Sequence, residues 1–392
     1  MSGFSASNQK LVLPAVVLAS IGCLQPGIDP VFLTLLSAAH GFDSGWHGWI
    51  VTATQSGMAL GSLATWRLGS RLPQPAFIAA AVLAAAVSLA TAQVGHFPAM
   101  IALRALYGGA MGVLYTQAMA NASANRPHGS YGAVFLFQLL LASAIALVLP
   151  AIADVAGPKT ALSALAAAPL AALALVTALS HSSVRLQTHA FLPAGHGTEE
   201  TGLRAWAAAG SCLLFICSTM MVWTFAGGLA VSAGLSEDVI GDAVALGSLA
   251  GAGTAIMVMR EKPVMPPPLS GILAGLALLA PIAAVETGDP LAFIAAIVAL
   301  NIGCTAIITR TSGLASAASR GDLFRRFVAC THALGMILGP LTGSLVTAAF
   351  GPASLLAAAI CTIALACLFL LYAEADSLRP ASLRMLRTAS DS

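Results

Sequence analysis

Charged residues are scarce in this chain. Asp, Glu, Lys and Arg together make up 8% of its 392 residues, against about 25% in an average soluble domain, whereas apolar residues make up 58%. A soluble protein with so little charge could not cover its surface with polar groups, so the composition excludes an ordinary soluble fold. The chain also lacks a basic stripe interleaved with aromatic residues, and we therefore expect no nucleic-acid partner.

Enzymatic and metal motifs are missing as well. The sequence contains no HExxH, GxSxG or P-loop pattern and no second aqueous domain, so we expect no enzymatic activity, no cofactor and no resident metal. Its 7 cysteines form no CxxC pair and all lie in apolar stretches, where we interpret them as small buried residues. Without a nucleotide site, any pumping has to draw on an ion gradient.

Long apolar stretches are what the chain has instead. Twelve of them are long enough to cross a bilayer as helices, and one polar stretch divides them six and six. The predicted helices cover residues 11–39, 46–68, 75–94, 98–120, 131–153, 160–180, 205–233, 239–259, 267–286, 291–313, 327–349 and 353–373. We therefore predict an all-α membrane protein with an N-terminal six-helix bundle at 1–180, a linker at 181–204 and a C-terminal six-helix bundle with a short tail at 205–392.

The charges between these helices orient the chain in the membrane. Fourteen of the 17 Lys and Arg residues fall on one alternating set of loops and terminal positions. They are Lys10, Arg67, Arg71, Arg126, Arg185, Arg204, Arg260, Lys262, Arg320, Arg325, Arg326, Arg379, Arg384 and Arg387. The opposite set holds a single basic residue, Lys159. Because basic loops stay on the cytoplasmic side, we predict that both termini and the linker are cytoplasmic, in an inner membrane.

The two halves echo each other weakly. In each half, the first helix is followed by a helix with two glycines four residues apart, Gly57 and Gly61 in the first half and Gly247 and Gly251 in the second. Small residues at this spacing let two helices approach closely. The echo favours a pseudo-symmetric pair of bundles.

The stretch after the second helix carries a family resemblance. The chain resembles the major facilitator superfamily over residues 10–375, and that family has a G-x-L-A-D-R-x-G-R-K pattern between helices two and three. Gly61, Leu63 and Ala64 match it, and Thr65 stands where the family usually has Asp. The resemblance implies a gating role for this stretch through Gly61, Arg67 and Arg71, without the acidic residue's usual salt bridge.

The fourth helix extends the resemblance. Arg104 and Gly108 match an arginine followed by glycines that many proton-coupled members carry. The glycine-proline motif expected in helix five of drug/proton antiporters is missing, since residues 133–156 contain no glycine, and Gly339-Pro340 lies in helix eleven instead. The resemblance implies proton-coupled transport and makes an antiporter less favoured.

Two charges inside predicted helices are candidates for proton coupling. A charge at the bilayer centre costs about 2.5–3.5 kcal/mol, so it usually faces a cavity or a partner. Asp29 in helix one and Arg104 in helix four lie at similar predicted depths, and we hypothesise that they pair until Asp29 is protonated. The alternatives are that Asp29 lies in the outer interface or caps a break at Pro26-Gly27 and Pro30, and that Arg104 extends outward to the interface.

Further side chains are candidates for the wall of a solute cavity. They are Gln25, Gln55, Tyr107, Tyr115, Gln117, Gln138, Trp223, Asn301, Arg310 and His332. For most of them the simpler interpretation is a hydrogen bond between helices, and for Arg310 it is extension to the cytoplasm. His332 and Met336 share a helix face, so uptake of a soft metal such as copper is a further alternative.

These features together predict a secondary transporter. We expect a monomer in contact with lipid that moves a small organic solute by alternating access, driven by the H⁺ gradient, with export favoured over uptake. A rival prediction is a non-transporting sensor or assembly factor with the same fold, which the altered residue Thr65 motivates.

Overall fold

The computed structural model describes residues 12–42, 46–69, 71–124, 126–181, 202–235, 237–259, 265–318, 321–351 and 353–375. These residues form fourteen α-helices, and none of them lies in a strand. Lys10, Asp43, most of the predicted linker and the tail after residue 375 lie outside the described residues.

The helices divide into two sets on either side of the predicted linker. The first set is α1 (Leu13–Gly22), α2 (Gln25–His40), α3 (His47–Leu68), α4 (Gln74–Thr91), α5 (Phe97–Ala122), α6 (Pro127–Ala156), α7 (Pro158–Ala164) and α8 (Ala167–His181). The second set is α9 (Leu203–Ser232), α10 (Glu237–Val258), α11 (Pro267–Val285), α12 (Pro290–Ala317), α13 (Asp322–Phe350) and α14 (Ser354–Ala373). Because α1 continues into α2 and α7 into α8, the fourteen helices account for the twelve predicted crossings.

Most of the helices have the length and composition that a bilayer requires. Eight of the described spans are long and apolar enough to cross a membrane, with α7 and α8 forming one of them, and apolar parts of α1, α2, α10 and α11 are shorter. The all-α membrane fold predicted from composition is therefore confirmed.

Two of the predicted single helices are broken in the structure. The first breaks at Cys23 and Leu24, just before Pro26, and the sixth breaks at Leu165 and Ala166, three residues before Pro169. Proline has no N–H group and cannot bond to the carbonyl four residues earlier, so each break precedes a proline.

Glycines bring α3 and α5 into backbone contact. Gly57 and Gly61 of α3 face α5, and Gly108 and Gly112 of α5 face α3. A Cβ added at any of the four would overlap a backbone oxygen of the other helix, so only glycine permits this approach. The close contact predicted for Gly57 and Gly61 is confirmed.

The second bundle repeats this packing between α10 and α12. A Cβ on Gly247 would lie 2.6 Å from Asn301 Nδ2, and a Cβ on Gly251 would lie 3.2 Å from Thr305 Oγ1. The contact is looser than that between α3 and α5, because side chains rather than backbone meet the glycines.

The two bundles join at one end of the molecule. We call this end, where α3 ends and α13 begins, the basic end, because Arg67, Arg71 and Arg126 lie there. Four hydrogen bonds between described residues of the two bundles lie in the half nearer this end. These bonds are Arg126–Met259, Tyr131–Ser316, Gln117–Arg326 and Ser62–Cys330.

The buried apolar residues follow the same arrangement. The largest cluster fills the first bundle and continues into Phe324, Val328 and Ala329 of α13. A separate cluster around Phe215 and Ile308 belongs to the second bundle, with Phe135 of α6 packed against it. The bundles thus share a core only toward the basic end, as far as the described residues show.

Candidate functional site

Arg104 lies inside the first bundle, on the face of α5 that meets α3. Its side chain is 2% exposed. Its Nε donates to Thr54 Oγ1 at 3.1 Å, and its guanidinium carbon lies 4.4 Å and 4.5 Å from the ring centres of Phe32 and Tyr107. The two rings stabilise the cation from their faces.

The glycine contact explains how Thr54 reaches Arg104. Gly108, one turn after Arg104, packs against the backbone oxygen of Thr54, which draws this part of α3 onto α5. The Thr54 hydroxyl donates to Ile50 O at 2.9 Å and is therefore free to accept the Arg104 N–H. The close backbone contact between α3 and α5 thus places the Thr54 hydroxyl beside Arg104.

Arg104 has no ion-pair partner among the described residues. No carboxylate of a described residue lies within 4.0 Å of it, and its Nη2 is buried without a hydrogen-bond partner. An unpaired buried charge is costly, so this nitrogen requires a partner of another kind.

Asp29 lies one turn from Phe32 on α2, which places it near the depth of Arg104 as predicted. Its side chain is 9% exposed, and its Oδ1 accepts from Gln25 Nε2 at 2.7 Å. The hypothesised direct pair of Asp29 with Arg104 is absent from this conformation, because Gln25 binds the carboxylate instead.

A small cavity lies against the free side of Arg104. Its lining includes Leu24, Gln25, Ile28, Phe32, Ser88, Thr91, Arg104, Tyr107, Leu162, Leu165 and Ala168. Its free space fits roughly one water molecule, so an organic solute does not fit there in this conformation. The cavity is enclosed by helices of the first bundle alone and is distinct from the contact between the bundles.

Both helix breaks border this cavity. Leu24 precedes the first turn of α2, and Leu165 precedes the first turn of α8. The first N–H groups of a helix have no partner within the helix and carry partial positive charge. Gly27 N and Ala168 N already donate to Leu24 O and Leu165 O, and Pro26 and Pro169 have no N–H, so the two helix ends act mainly through their dipoles. Ser88 and Tyr107 add hydroxyl groups to the cavity wall.

Other sequence candidates lie apart from Arg104. Gln55 is 3% exposed, and its Oε1 has no partner among the described residues. Gln138 is buried on α6, near Gly27 of α2. Asn301 Nδ2 donates to Ile297 O at 3.0 Å, and Trp223 packs at the edge of the second bundle's core.

A second buried group of aromatic side chains surrounds His332. The imidazole stacks on Tyr131 at 5.7 Å between ring centres, and Tyr115 and Phe135 lie at 6.0 Å. Neither His332 nitrogen has a hydrogen-bond partner in the described part of the chain. Tyr115, predicted to share a side with Tyr107, thus belongs to the contact between bundles rather than to the Arg104 cavity.

Arg310 is engaged at the basic end of the second bundle. It forms an ion pair with Glu374 at 3.0 Å, with bonds to both carboxylate oxygens, and it donates to Met265 O at 2.9 Å. The pair ties α12 to the end of α14, away from the cavity beside Arg104.

The resembled gating stretch lies at the contact between the bundles. Gly61 packs against the backbone of α5, and Trp66 meets Phe327 of α13 at 5.1 Å between ring centres. Arg67 is exposed, with its guanidinium 4.6 Å from the Trp66 ring, and Arg71 is exposed as well.

Sequence reasoning missed several residues of these sites. Thr54 and Phe32 hold Arg104, and Arg326 is 1% exposed although it was counted among the loop charges. Phe32 had a detectable signal, because it lies one turn from Asp29 on the same helix. Thr54 and Arg326 had none, since their partners are distant in the sequence.

Solved structures share this architecture. The chain is similar to the E. coli fucose:proton symporter FucP in the outward conformation, with a TM-score of 0.64, 14% identity, and 92% of this chain and 98% of that chain covered. It is similar to the proton:xylose symporter XylE, with a TM-score of 0.61, 12% identity, and 91% of this chain and 93% of that chain covered. It is also similar to the nucleoside transporter NupG, with a TM-score of 0.58, 12% identity, and 93% of this chain and 98% of that chain covered.

These similarities define the fold. The chain has the major facilitator fold, with two six-helix bundles, as the sequence predicted. No family model and no curated protein matches the sequence.

Proposed function

We propose that the protein is a secondary transporter that moves a small organic solute across the cytoplasmic membrane by alternating access, coupled to H⁺. The observation that carries this proposal is that the described residues join the two bundles at the basic end, around buried polar side chains. A scaffold of this form can open at either end in turn. The basic end is then the cytoplasmic end, because basic loops remain inside.

Asp29 and Arg104 are the proposed coupling residues. Asp29 is buried with an amide partner, and no cation of a described residue lies within 4.0 Å. In this setting its carboxyl group can take up and release a proton. Protonation would remove a negative charge near Arg104, and movement of α2 against α5 could follow because Phe32 of α2 stacks on Arg104. The coupling thus links a proton to the packing of two helices.

Purified protein in sealed vesicles tests the proposal. A thermal-shift screen that includes fucose, xylose and nucleosides first identifies a stabilising solute. Addition of that solute should then change the internal pH reported by pyranine, and the change should be absent in Asp29→Asn. Asp154→Asn is the matched control, because Asp154 is an exposed carboxylate near the opposite end, and it should behave like the parent.

The result separates the proposal from its rivals. Solute movement without a pH change would overturn proton coupling, and a pH change that persists in Asp29→Asn would remove Asp29 from the mechanism. A sensor would bind a solute with no flux. No group of three or more His, Cys, Asp or Glu side chains among the described residues could hold a metal ion, and no observation favours copper uptake.

A further inference from the structure

Arg104 lines a cavity of about the size of one water molecule, and its Nη2 has no hydrogen-bond partner among the described residues. We propose that this cavity is a binding site for a small monovalent inorganic anion, of which chloride is the simplest example, and that Asp29 competes with the anion for Arg104.

The first support is the charge of the guanidinium. Arg104 is 2% exposed, and within the described part of the chain its Nη2 has no partner. Thr54 and the rings of Phe32 and Tyr107 hold the rest of the group. None of these partners carries a negative charge. A bound anion would both neutralise the cation and accept the free N–H bond.

The second support is the surrounding backbone. The cavity touches the residues just before α2, of 16 residues, and just before α8, of 15 residues. Two helix N-termini therefore flank one buried arginine, and each favours negative charge. Ser88 and Tyr107 provide hydroxyl groups for further hydrogen bonds.

The size of the cavity selects the class of anion. Its free space is far below the volume of a sugar acid or a nucleotide, so only an ion not much larger than one water molecule, such as chloride, can be accommodated. Carboxylates of organic solutes are therefore excluded from this site in the conformation described.

Competition with Asp29 follows from the charges. Among the residues that line or adjoin the cavity, the titratable side chains are Asp29, Tyr107 and Arg104, and α4, α7 and α8 contribute none to the lining. An ionised Asp29 repels an anion beside Arg104, whereas a protonated Asp29 does not. By reciprocity, the anion favours the proton on Asp29, and acid strengthens anion binding.

The test uses purified full-length protein in detergent, with sodium gluconate replaced by sodium chloride at constant ionic strength. We expect chloride to raise the apparent melting temperature, more at mildly acidic pH than at neutral pH. Equilibrium dialysis of radioactive chloride should give the matching affinities. Gluconate is too large for the cavity, so it serves as the inert anion.

Four variants decide the outcome. Arg104→Gln should weaken chloride binding by about tenfold or more, and Arg104→Lys should weaken it less. Asp29→Asn should bind chloride equally at both pH values. Arg310→Gln removes a different arginine, in the second bundle, and should keep the chloride response.

Two results would overturn the inference: no difference between chloride and gluconate in the parent, or an unchanged response in Arg104→Gln. If Arg104→Gln does not fold, Asp29→Asn provides the test. Chloride binding that still depends on pH in Asp29→Asn would exclude competition between Asp29 and the anion. The site coincides with the proposed coupling site, but binding is measured without transport. Failure of either experiment therefore leaves the other standing.

Discussion

Arg326 of α13 donates a hydrogen bond from Nε to Gln117 Oε1 of α5 at 3.0 Å, across the contact between the two bundles. Its Nε lies 2.9 Å from the position of a Cβ on Gly69, at the last turn of α3. A helix C-terminus favours a cation. Thr65, which replaces the family's acidic residue, bonds to Gly61 O of its own helix. The charge at this contact thus comes from the second bundle.

Gln117→Leu should loosen the basic end. The change removes an acceptor from a buried cation, which costs about 1–3 kcal/mol. Cys330 is a natural reporter, because it is buried in the same contact with its thiol bonded to Ser62 O at 3.0 Å. Its alkylation by a maleimide, followed by peptide mass spectrometry, should become about tenfold faster.

Cys212 is the control for that measurement. It is equally buried but lies within the second bundle, where it contacts Ser312. Its alkylation should stay slow in Gln117→Leu. Equal acceleration at both cysteines would indicate general unfolding and would contradict a local role for Gln117.

Two adjacent glycines should respond in opposite ways to alanine. A Cβ at position 108 would overlap Thr54 O, whereas a Cβ at Gly109 would lie 3.7 Å from its nearest neighbour, an ordinary contact. We expect Gly108→Ala to lower stability by about 1–3 kcal/mol, and Gly109→Ala to be neutral or stabilising because alanine favours helix. Melting temperatures in detergent test this pair, and similar values for both would refute the packing.

His332→Phe should preserve or raise stability. The two ring nitrogens of His332 are buried without hydrogen-bond partners in the described chain, and aromatic rings surround them. Phenylalanine removes the free-energy cost of burying these two polar atoms. Replacing an unsatisfied polar group by an apolar one of similar shape is neutral or favourable. His332→Lys should melt far lower, since a charge would lie among Tyr115, Tyr131 and Phe135. A large loss in His332→Phe would mean that a nitrogen has a partner.

The ion pair of Arg310 and Glu374 should stabilise the second bundle. Its side chains are 12% and 9% exposed, so solvent screens it little. A double-mutant cycle with Arg310→Gln and Glu374→Gln should give a coupling free energy of about 1–2 kcal/mol in thermal or denaturant unfolding. Additive losses would show that the contact does not contribute.

Periodicity and charge predicted much of the fold. The twelve crossings follow from apolar length alone, because a bilayer imposes the same requirement on each helix. A break near Pro26 was one of the alternatives for helix one, whereas the break before Pro169 in helix six was not predicted. A proline in an apolar run is compatible with either a kink or a break, and packing decides between them.

The candidate site was predicted only in part. Asp29 and Arg104 stand out because charges are rare in apolar stretches. Their relationship could not be predicted, since Gln25 and Asp29 lie one turn apart whereas Thr54 is 50 residues from Arg104. Likewise, Arg310 stands out as a charge in a predicted helix, but its ion pair with Glu374 could not be predicted because the two residues are 64 positions apart.

The sequence by itself determined the solvent, the number of crossings and the residues too polar for their surroundings, because each is a property of local composition. Only the tertiary structure decided which of those residues meet. Four glycines between α3 and α5 place Thr54 on Arg104, and two helix breaks leave a space on the guanidinium's other side. Such relationships depend on contacts between distant segments, which no local pattern encodes.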